Sequence, residues 1–146
     1  MELELFHGCK VALICEDHLL VYKRDDDPRI ESPGMWDLPG GGRKGTESPE
    51  ECVLRELKEE FGFSMSEDRL TYCRRYDTNR TPKYAYYFVG WILEEEIQEI
   101  SFGDEGQYWK MISVDDYLAH AKVVTRHKER LMDYFTSLEQ TTQRDA

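Results

Sequence analysis

The strongest structural constraint in this sequence is a helix that carries signals at both ends, over residues 48–62. Ser48 is placed as the N-cap, Pro49 takes the first helical position, and Glu51 completes an S-x-x-E capping box. Gly62 follows the last helical position, where glycine commonly ends a helix. Because a run of three glycines at residues 40–42 precedes the helix, we expect a tight backbone turn shortly before it.

The side chains of this helix divide into an apolar face and a strip of carboxylates. At about 100° per residue, the apolar residues share one face and should be buried against a sheet; they are Val53, Leu54, Leu57 and Phe61. Glu56 and Glu60 lie one turn apart at the edge of that face, and Glu59 lies on the adjoining sector. Three carboxylates should therefore converge on one strip.

The residues alone leave two interpretations of this strip. Glutamates on a helix usually form a solvated surface, and Glu59 and Glu60 taken by themselves would be interpreted that way. Like charges at this spacing, however, destabilise a helix by roughly a few tenths of a kcal/mol per pair unless a cation is present. Hard cations such as Mg²⁺ prefer oxygen ligands of this kind, so a metal site is the alternative.

The spacing around the helix favours the metal site. Residues 41–63 fit the pattern G-x5-E-x7-R-E-U-x-E-E-x-G-U at every fixed position, where U is a bulky apolar residue. This segment closely resembles the signature of the Nudix hydrolases, and residues 36–40 before it are also similar to that family. The resemblance implies an α/β/α sandwich with a mixed β-sheet between the catalytic helix and a C-terminal helix.

The resemblance also implies roles for individual residues. The Gly40 carbonyl, Glu56 and Glu60 match the principal metal ligands, and Glu59 matches a further ligand or a residue that holds water. Arg55 and Glu47 match an orienting pair. The cofactor expected from this ligand set is Mg²⁺, with Mn²⁺ as a substitute.

The general base has two candidates. The family usually supplies one more acid from a downstream loop, and Glu105 or its neighbour Asp104 occupies the matching place in a glycine-flanked polar segment. The other candidate is Glu56, but coordination to a cation would lower its pKa and make it a poor proton acceptor. We therefore favour Glu105, while a turn with solvated acids is the alternative interpretation of this loop.

Two residues outside the signature are candidates for contact with substrate. Arg24 ends a strand that should run toward the glycine loop, so it could hold a phosphate, and a surface charge at a strand end is the alternative. Trp36 stands beside the glycine loop; we favour a place in the core, and stacking on a base is the alternative. No Ser/His/Asp or Cys/His arrangement indicates a covalent intermediate, so direct attack by water is the simpler mechanism.

The rest of the chain predicts one domain over residues 1–138 and a frayed polar tail over residues 139–146. Residues 10–15 and 19–23 are predicted to form a β-hairpin, and residues 70–76 and 84–93 two antiparallel strands. A weaker strand at residues 108–112, a helical turn at 114–120 and an amphipathic helix at 123–138 complete the expected order.

Charge and composition restrict the partners. The formal net charge is −11, which disfavours long nucleic acids, whereas a small polyphosphate could be bound through a divalent cation and a few placed basic residues. The N-terminal residues carry acids where a secretory signal carries bases, and no apolar run could cross a bilayer, so we expect a cytoplasmic protein without a membrane partner. Oligomeric state stays open, with a homodimer among the options.

The resemblance implies hydrolysis of a phosphoanhydride bond in a nucleoside diphosphate linked to another group. The proline that marks the ADP-ribose subfamily and the tyrosine that marks the dinucleoside polyphosphate subfamily find no match, because Pro82 lies too far along the chain and residues 79–81 are Asn-Arg-Thr. A nucleoside triphosphate or a modified nucleotide is therefore the favoured substrate. The alternatives are a catalytically silent domain of the same family that senses a nucleotide, and an acidic interaction module whose glutamate face holds no metal.

Overall fold

The computed structural model describes residues 5–145, with side chains described up to residue 140. Seven strands form one mixed sheet, and the helices cover its two faces. The strands are β1 Phe6–Cys15, β2 His18–Lys23, β3 Trp36–Asp37, β4 Gly40–Gly42, β5 Leu70–Asp77, β6 Tyr84–Trp91 and β7 Tyr108–Ser113. The helices are α1 Pro49–Phe61, α2 Glu94–Gln98, α3 Val114–Ala119 and α4 Thr125–Asp145, and a short 3₁₀ turn spans Glu67–Arg69.

The sheet is mixed because its central strand has neighbours of both orientations. β1 pairs in parallel with β6 and antiparallel with β2, while β5 and β7 extend the sheet as antiparallel strands beyond β6 and β2. The predicted hairpin is confirmed, and the structure extends its first strand back to Phe6. The α/β/α sandwich expected from the sequence is likewise confirmed, with α1 on one face of the sheet and α4 on the other.

Helix α1 begins and ends where the sequence predicts. The Ser48 side chain accepts a hydrogen bond from the Glu51 backbone N–H, and the Glu51 side chain accepts one from the Ser48 N–H, which completes the capping box. Gly62 ends the helix in the left-handed conformation at φ 72° and donates its N–H to the Lys58 carbonyl. These caps fix the position of every glutamate on the helix.

Residues 36–42 form a wedge between β1 and β2. The hairpin strands pair directly only near the turn, at Ile14 with Leu19 and at Cys15 with His18. Farther from the turn, β3 pairs with the end of β2 and β4 pairs with the start of β1. Since β6 and β7 occupy the other edges of β1 and β2, the wedge must lie between the two strands. It brings the glycine run and Asp37 into the middle of the sheet.

Two separate cores flank the sheet. One lies under α1 and joins apolar residues from the helix with those from one face of the sheet, including Val11, Leu13, Leu57, Phe61 and Phe88. The other lies under α3 and α4 and includes Ala12, Leu38, Tyr87, Tyr117 and Leu131. Successive residues of β1 and β6 face opposite cores because side chains alternate along a strand. Both faces of these central strands are buried, as the continuous apolar run of β1 suggests.

The C-terminal helix is longer than the sequence indicates. It begins at Thr125, two residues after the predicted start, and continues to Asp145 through most of the segment predicted as a frayed tail. A helix that is anchored by burial of Leu131 can propagate at little cost, because only its first turn is expensive to form. Residues 1–4 of the predicted domain and residue 146 of the predicted tail lie outside the described residues. None of the described helices is long and apolar enough to cross a membrane.

Candidate active site

The carboxylates of α1 have very different exposures. The Glu60 residue is 6% exposed, the Glu56 side chain is 12% exposed, and the Glu59 side chain is 49% exposed. This gradient follows from the helix period, because Glu60 lies beside the buried Phe61 and Leu57 while Glu59 points farther around the helix. The strip therefore runs from the protein interior to the surface.

Arg55 holds the outer part of this strip together. Its Nε and Nη2 donate to the two oxygens of Glu47 at 2.6 and 3.0 Å, and its Nη1 donates to Glu56 at 3.0 Å and to Glu59 at 3.1 Å. Nη2 also donates to the Gly42 carbonyl at 2.8 Å. The hydrogen bonds to Glu47, together with the Glu56 charge, raise the pKa of the guanidinium above its usual range. Arg55 and Glu47, which the sequence predicts as an orienting pair, are hydrogen-bonded to each other, and the five hydrogen bonds of Arg55 also connect α1 to β4.

The glycines of β4 make direct contact with the inner carboxylates. The Gly40 N–H donates to Glu60 Oε1 at 2.8 Å. A Cβ atom on Gly41 would lie 2.6 Å from the Glu56 carboxyl carbon, so only glycine leaves room for that carboxylate. Burial, reinforced by the Glu56 charge, raises the pKa of Glu60 to about 8. Glycine at these positions therefore permits close approach of helix and strand.

The α1 carboxylates do not form a preorganised metal-binding site in this structure. Within residues 5–145, no three His, Cys, Asp or Glu side chains are grouped as a metal site. Arg55 engages Glu56 and Glu59, and Lys44 lies 3.6 Å from Glu59, so these side chains face cations of the protein itself. The outer carboxylates are therefore paired with basic side chains of the protein.

The loop that carries Asp104 and Glu105 docks on the C-terminal end of α1. The Gly103 N–H donates to the Glu60 carbonyl at 2.8 Å, and a Cβ on Gly103 would approach the Glu59 carbonyl to 2.8 Å. On the other side of the loop, Gln107 N–H donates to the Lys23 carbonyl at 2.8 Å. Asp104 and Glu105 are exposed between these two anchors. The structure therefore places the loop acids beside the glutamate helix.

A cavity of about 480 Å³ opens on the α4 side of the sheet. Gly41 and Gly42 of the wedge line it, as do the starts of β1 and α4 and the loop after β5. Its titratable lining contains five Lys or Arg residues and three carboxylates; these are Lys10, Arg24, Arg80, Arg126 and Arg130, with Glu31, Asp37 and Asp77. A cavity with a net cationic lining thus borders the glycine strand of this acidic chain.

Asp37 is the centre of a buried polar network in this cavity. Its Oδ2 accepts from Lys10 Nζ at 3.0 Å and from Arg24 Nη1 at 2.9 Å, and the Tyr22 hydroxyl lies at 3.5 Å. Burial alone would raise the pKa of this carboxyl, but the charge and hydrogen bond of Lys10, together with the hydrogen bond from the Leu38 N–H and the nearby His127, hold the pKa below its usual range. Arg24 is fixed further by a 2.8 Å bond from Nε to the Glu31 carbonyl.

The two substrate-binding candidates have different positions. Arg24 lines the cavity, whereas Trp36 is 7% exposed and packs in the core under α4. The Trp36 ring lies 5.5 Å from that of Tyr108 and has Lys110 Nζ 4.4 Å above it, and it is absent from the cavity lining. Of the two alternatives for Trp36, the structure supports the place in the core, because β3 turns its side chain away from the cavity.

The cavity also contains residues that no sequence pattern selects. Lys10 lies inside an apolar strand, and Arg126, His127 and Arg130 lie on a helix that is separated by most of the chain from the glycine run. Asp37, by contrast, had a signal like Arg24, since it belongs to the segment before the glycine run that resembles the Nudix pattern. Long-range pairing across the sheet brings these residues together.

Comparison with known proteins gives a consistent result. A family model described as NUDIX domain matches residues 8–134. The 8-oxo-dGTP diphosphatase of Proteus vulgaris is 35% identical over 56 residues, which is 38% of this chain and 50% of that protein, so this match spans only half of the relative. The nucleoside triphosphatase NudI of Salmonella arizonae is 30% identical over 128 residues, covering 82% of this chain and 91% of that protein.

The fold is shared with a solved structure. The MutT protein from Methanosarcina mazei Go1 superposes with a TM-score of 0.67 and 21% sequence identity. The match covers 92% of this chain and 93% of that one. At this identity the structural match shows the fold alone.

Proposed function

This chain belongs to the NUDIX family, and we propose that it is a metal-dependent pyrophosphohydrolase that cuts a phosphoanhydride bond in a nucleoside diphosphate linked to another group. The observation that carries the proposal is the glycine strand β4, which has the α1 carboxylates on one side and the cationic cavity on the other. Its relatives include a diphosphatase and a nucleoside triphosphatase, which supports a nucleotide substrate.

The donor chemistry of the strip fits a hard divalent cation. Glu56, Glu59 and Glu60 offer carboxylate oxygens, and Gly40 offers a backbone carbonyl, which are the ligand types that Mg²⁺ and Mn²⁺ take. The raised pKa of Glu60 is further support, because a buried carboxylate without enough positive charge nearby would be stabilised by a bound cation. When bound, such an ion neutralises phosphate oxygens and lowers the pKa of water.

The residues around the strip have separate tasks in this proposal. Arg55 binds Glu47, Glu56 and Glu59 at once, so it keeps the outer carboxylates within reach of β4. Glu105, or Asp104 beside it, is the proposed general base, since the loop is fixed to the end of α1 but leaves both side chains exposed. A carboxylate that coordinates no metal keeps more basicity than one that does.

The cavity is the proposed binding site for the organic part of the substrate. Its volume of about 480 Å³ falls within the range of small-molecule sites, roughly 300–1,000 Å³. Arg24 is held rigidly by Asp37 and the Glu31 carbonyl at its edge, so it could donate to a phosphate or to a base edge without losing much side-chain entropy. The favoured substrates are nucleoside triphosphates and modified nucleotides.

A substrate panel tests the proposal. Nucleoside triphosphates, oxidised nucleotides, nucleotide sugars and dinucleoside polyphosphates would each be incubated with Mg²⁺ or with EDTA, and product would be followed as released phosphate after pyrophosphatase treatment and by chromatography. We expect turnover of at least one nucleotide class that EDTA abolishes. Nucleotide binding without turnover of any panel member would refute the enzymatic proposal and indicate a nucleotide-sensing domain instead.

A further inference from the structure

The first two turns of α4 form a cationic wall of the cavity. Arg126 and Arg130 lie one turn apart and both line the cavity, with His127 between them. Like charges at this spacing destabilise a helix unless an anion is bound nearby, and the Glu31 carboxylate, 3.5 Å from Arg126, reaches only the first of the two. The first turn of α4 contains no acidic residue, and the positive end of the helix dipole adds to the field of the two guanidinium groups.

Arg130 is buried without a counter-ion. The residue is only 8% exposed, and its guanidinium lies 4.5 Å from the centre of the Tyr76 ring. In the described part of the chain it makes no hydrogen bond or ion pair with a carboxylate. Burial and the nearby Arg126 lower its pKa, which shows that the surroundings oppose its charge. A guanidinium in this position would gain stability from a bound anion.

His127 is a second buried group without a hydrogen-bond partner. It is 2% exposed, and neither ring nitrogen is hydrogen-bonded within the described residues. Burial lowers its pKa to about 3, so the ring is neutral and its 3.5 Å contact with Asp37 is not an ion pair. A neutral imidazole has one N–H to donate. Within the described residues, the α4 wall therefore presents two groups that are more than nine-tenths buried: the His127 imidazole, which has no hydrogen-bond partner, and the Arg130 guanidinium, which has no carboxylate partner.

The α4 wall and the α1 carboxylates lie on opposite sides of the sheet. Helix α1 packs on β1 and β4 over one core, while α4 packs on β6 over the other. The glycine strand lies between them, since Gly41 contacts Glu56 and also lines the cavity. A substrate whose anhydride lies at the glutamates would thus direct its organic part, and not its scissile phosphates, toward Arg126 and Arg130.

We propose that Arg126, His127 and Arg130 form a subsite for a phosphate monoester on the organic part of the substrate, away from the bond that is cut. This proposal rests on the proposed function and narrows it to nucleotides that carry a second phosphate on the ribose. Paired guanidinium groups suit a phosphate because each can donate two parallel hydrogen bonds to its oxygens. The lining has two more cationic than anionic side chains, which matches the two charges of a phosphate monoester.

Calorimetry without divalent metal tests the subsite directly. Four ligands would be compared in EDTA: AMP, ADP, adenosine 3′,5′-bisphosphate and adenosine 2′,5′-bisphosphate. ADP has the same number of phosphates as the bisphosphates but carries both at the 5′ position. We expect at least one bisphosphate to bind about tenfold more tightly than both AMP and ADP, because its second phosphate would accept additional charge-assisted hydrogen bonds. The two bisphosphates identify the ribose position that the subsite takes.

Two variants and one control locate the effect. Arg130→Met keeps most of the side-chain volume. In this variant the affinity for the bisphosphate should lie within about threefold of the affinity for ADP. Arg126→Met should act in the same direction, and because Arg126 is exposed this variant does not disturb the core. Arg29→Met removes a side chain that is 88% exposed and outside the cavity, so it should keep the full preference.

Each result decides one question. Equal affinity for ADP and the bisphosphates would indicate that the arginines contact the 5′ phosphates, and this result would overturn the proposed subsite. Uniformly weak binding of all four ligands would also overturn it. A preference that survives both arginine variants would also overturn it. Because these measurements need neither metal nor turnover, a protein that prefers the bisphosphate but hydrolyses no panel member would refute the proposed reaction while the subsite stands.

Discussion

Replacing Gly41 with alanine should separate catalysis from folding. Gly41 lies in β4 without a left-handed φ, so the alanine backbone is compatible with the fold. The added Cβ would lie 2.6 Å from the Glu56 carboxyl carbon and 2.7 and 2.8 Å from its two oxygens. The nearest obstacle to the new Cβ is therefore the end of one glutamate side chain.

The magnitude follows from that contact. The Glu56 carboxylate must retreat by roughly 0.8 Å to restore ordinary contact, and this displacement moves it away from β4. A misplacement of about 1 Å in a catalytic group can cost on the order of 100-fold in rate, so we expect kcat/KM to fall about 100-fold. Stability should fall by only about 1 kcal/mol, since a partly exposed side chain can shift.

The assay compares Gly41→Ala with Gly45→Ala in steady-state kinetics and urea unfolding. Gly45 has φ +57°, and a Cβ added there would meet no atom within 4 Å, so alanine at this position should cost about 1–2 kcal/mol of backbone strain and leave kcat/KM unchanged. A Gly41→Ala protein with turnover within threefold of wild type would refute the reasoning. So would a loss of activity that is equal in the two variants, because it would trace to stability alone.

Other predictions follow from the site. Changing Glu56 or Glu60 to Gln should lower turnover by orders of magnitude with the fold retained, and a Glu60→Gln enzyme within threefold of wild type would contradict their role. Melting temperature should rise with millimolar Mg²⁺ or Mn²⁺ and not with NaCl of matched ionic strength. Glu105→Gln should reduce kcat and leave the metal affinity intact. If both Glu105→Gln and Asp104→Asn turn over substrate normally, Glu56 becomes the candidate general base. Burial lowers the pKa of His127 from 6.5 to about 3, so between these pH values the unfolded chain binds one more proton than the folded chain. The free energy of unfolding should therefore fall by up to about 1.4 kcal/mol per pH unit from pH 6.5 down to about 3, and by less in the His127→Gln variant, both measured without metal.

The elements with strong local signals could be predicted from the sequence. The capping box at Ser48 and the glycine at residue 62 determine α1 almost to the residue, because both ends are fixed by hydrogen bonds between neighbours in the chain. The helix period then orders the exposure of its glutamates, with Glu60 the most buried. The mixed sheet follows from the family resemblance more than from any strand, since pairing partners lie far apart in sequence.

The cavity could not be predicted in the same way. Its charge depends on the wedge at residues 36–42, which separates β1 from β2 and brings Asp37 against Lys10. No local pattern specifies that insertion. Arg130 shows the same limit, because on sequence alone it is one more basic residue of an amphipathic helix, and only the structure shows it buried in a cavity wall.

The net charge of −11 is a poor guide to what this protein binds, because the charges are segregated. A polyphosphate ligand must bind the acidic α1 strip through a cation and must bind basic side chains directly at another place. These two requirements conflict if the acidic and basic side chains share one surface. The glycine strand resolves the conflict, because Gly41 admits Glu56 on one side and opens into the cationic cavity on the other. If α4 supplies the second requirement, then loss of Arg130 should change which nucleotide is preferred, whereas loss of Glu60 should change only how fast it is cut.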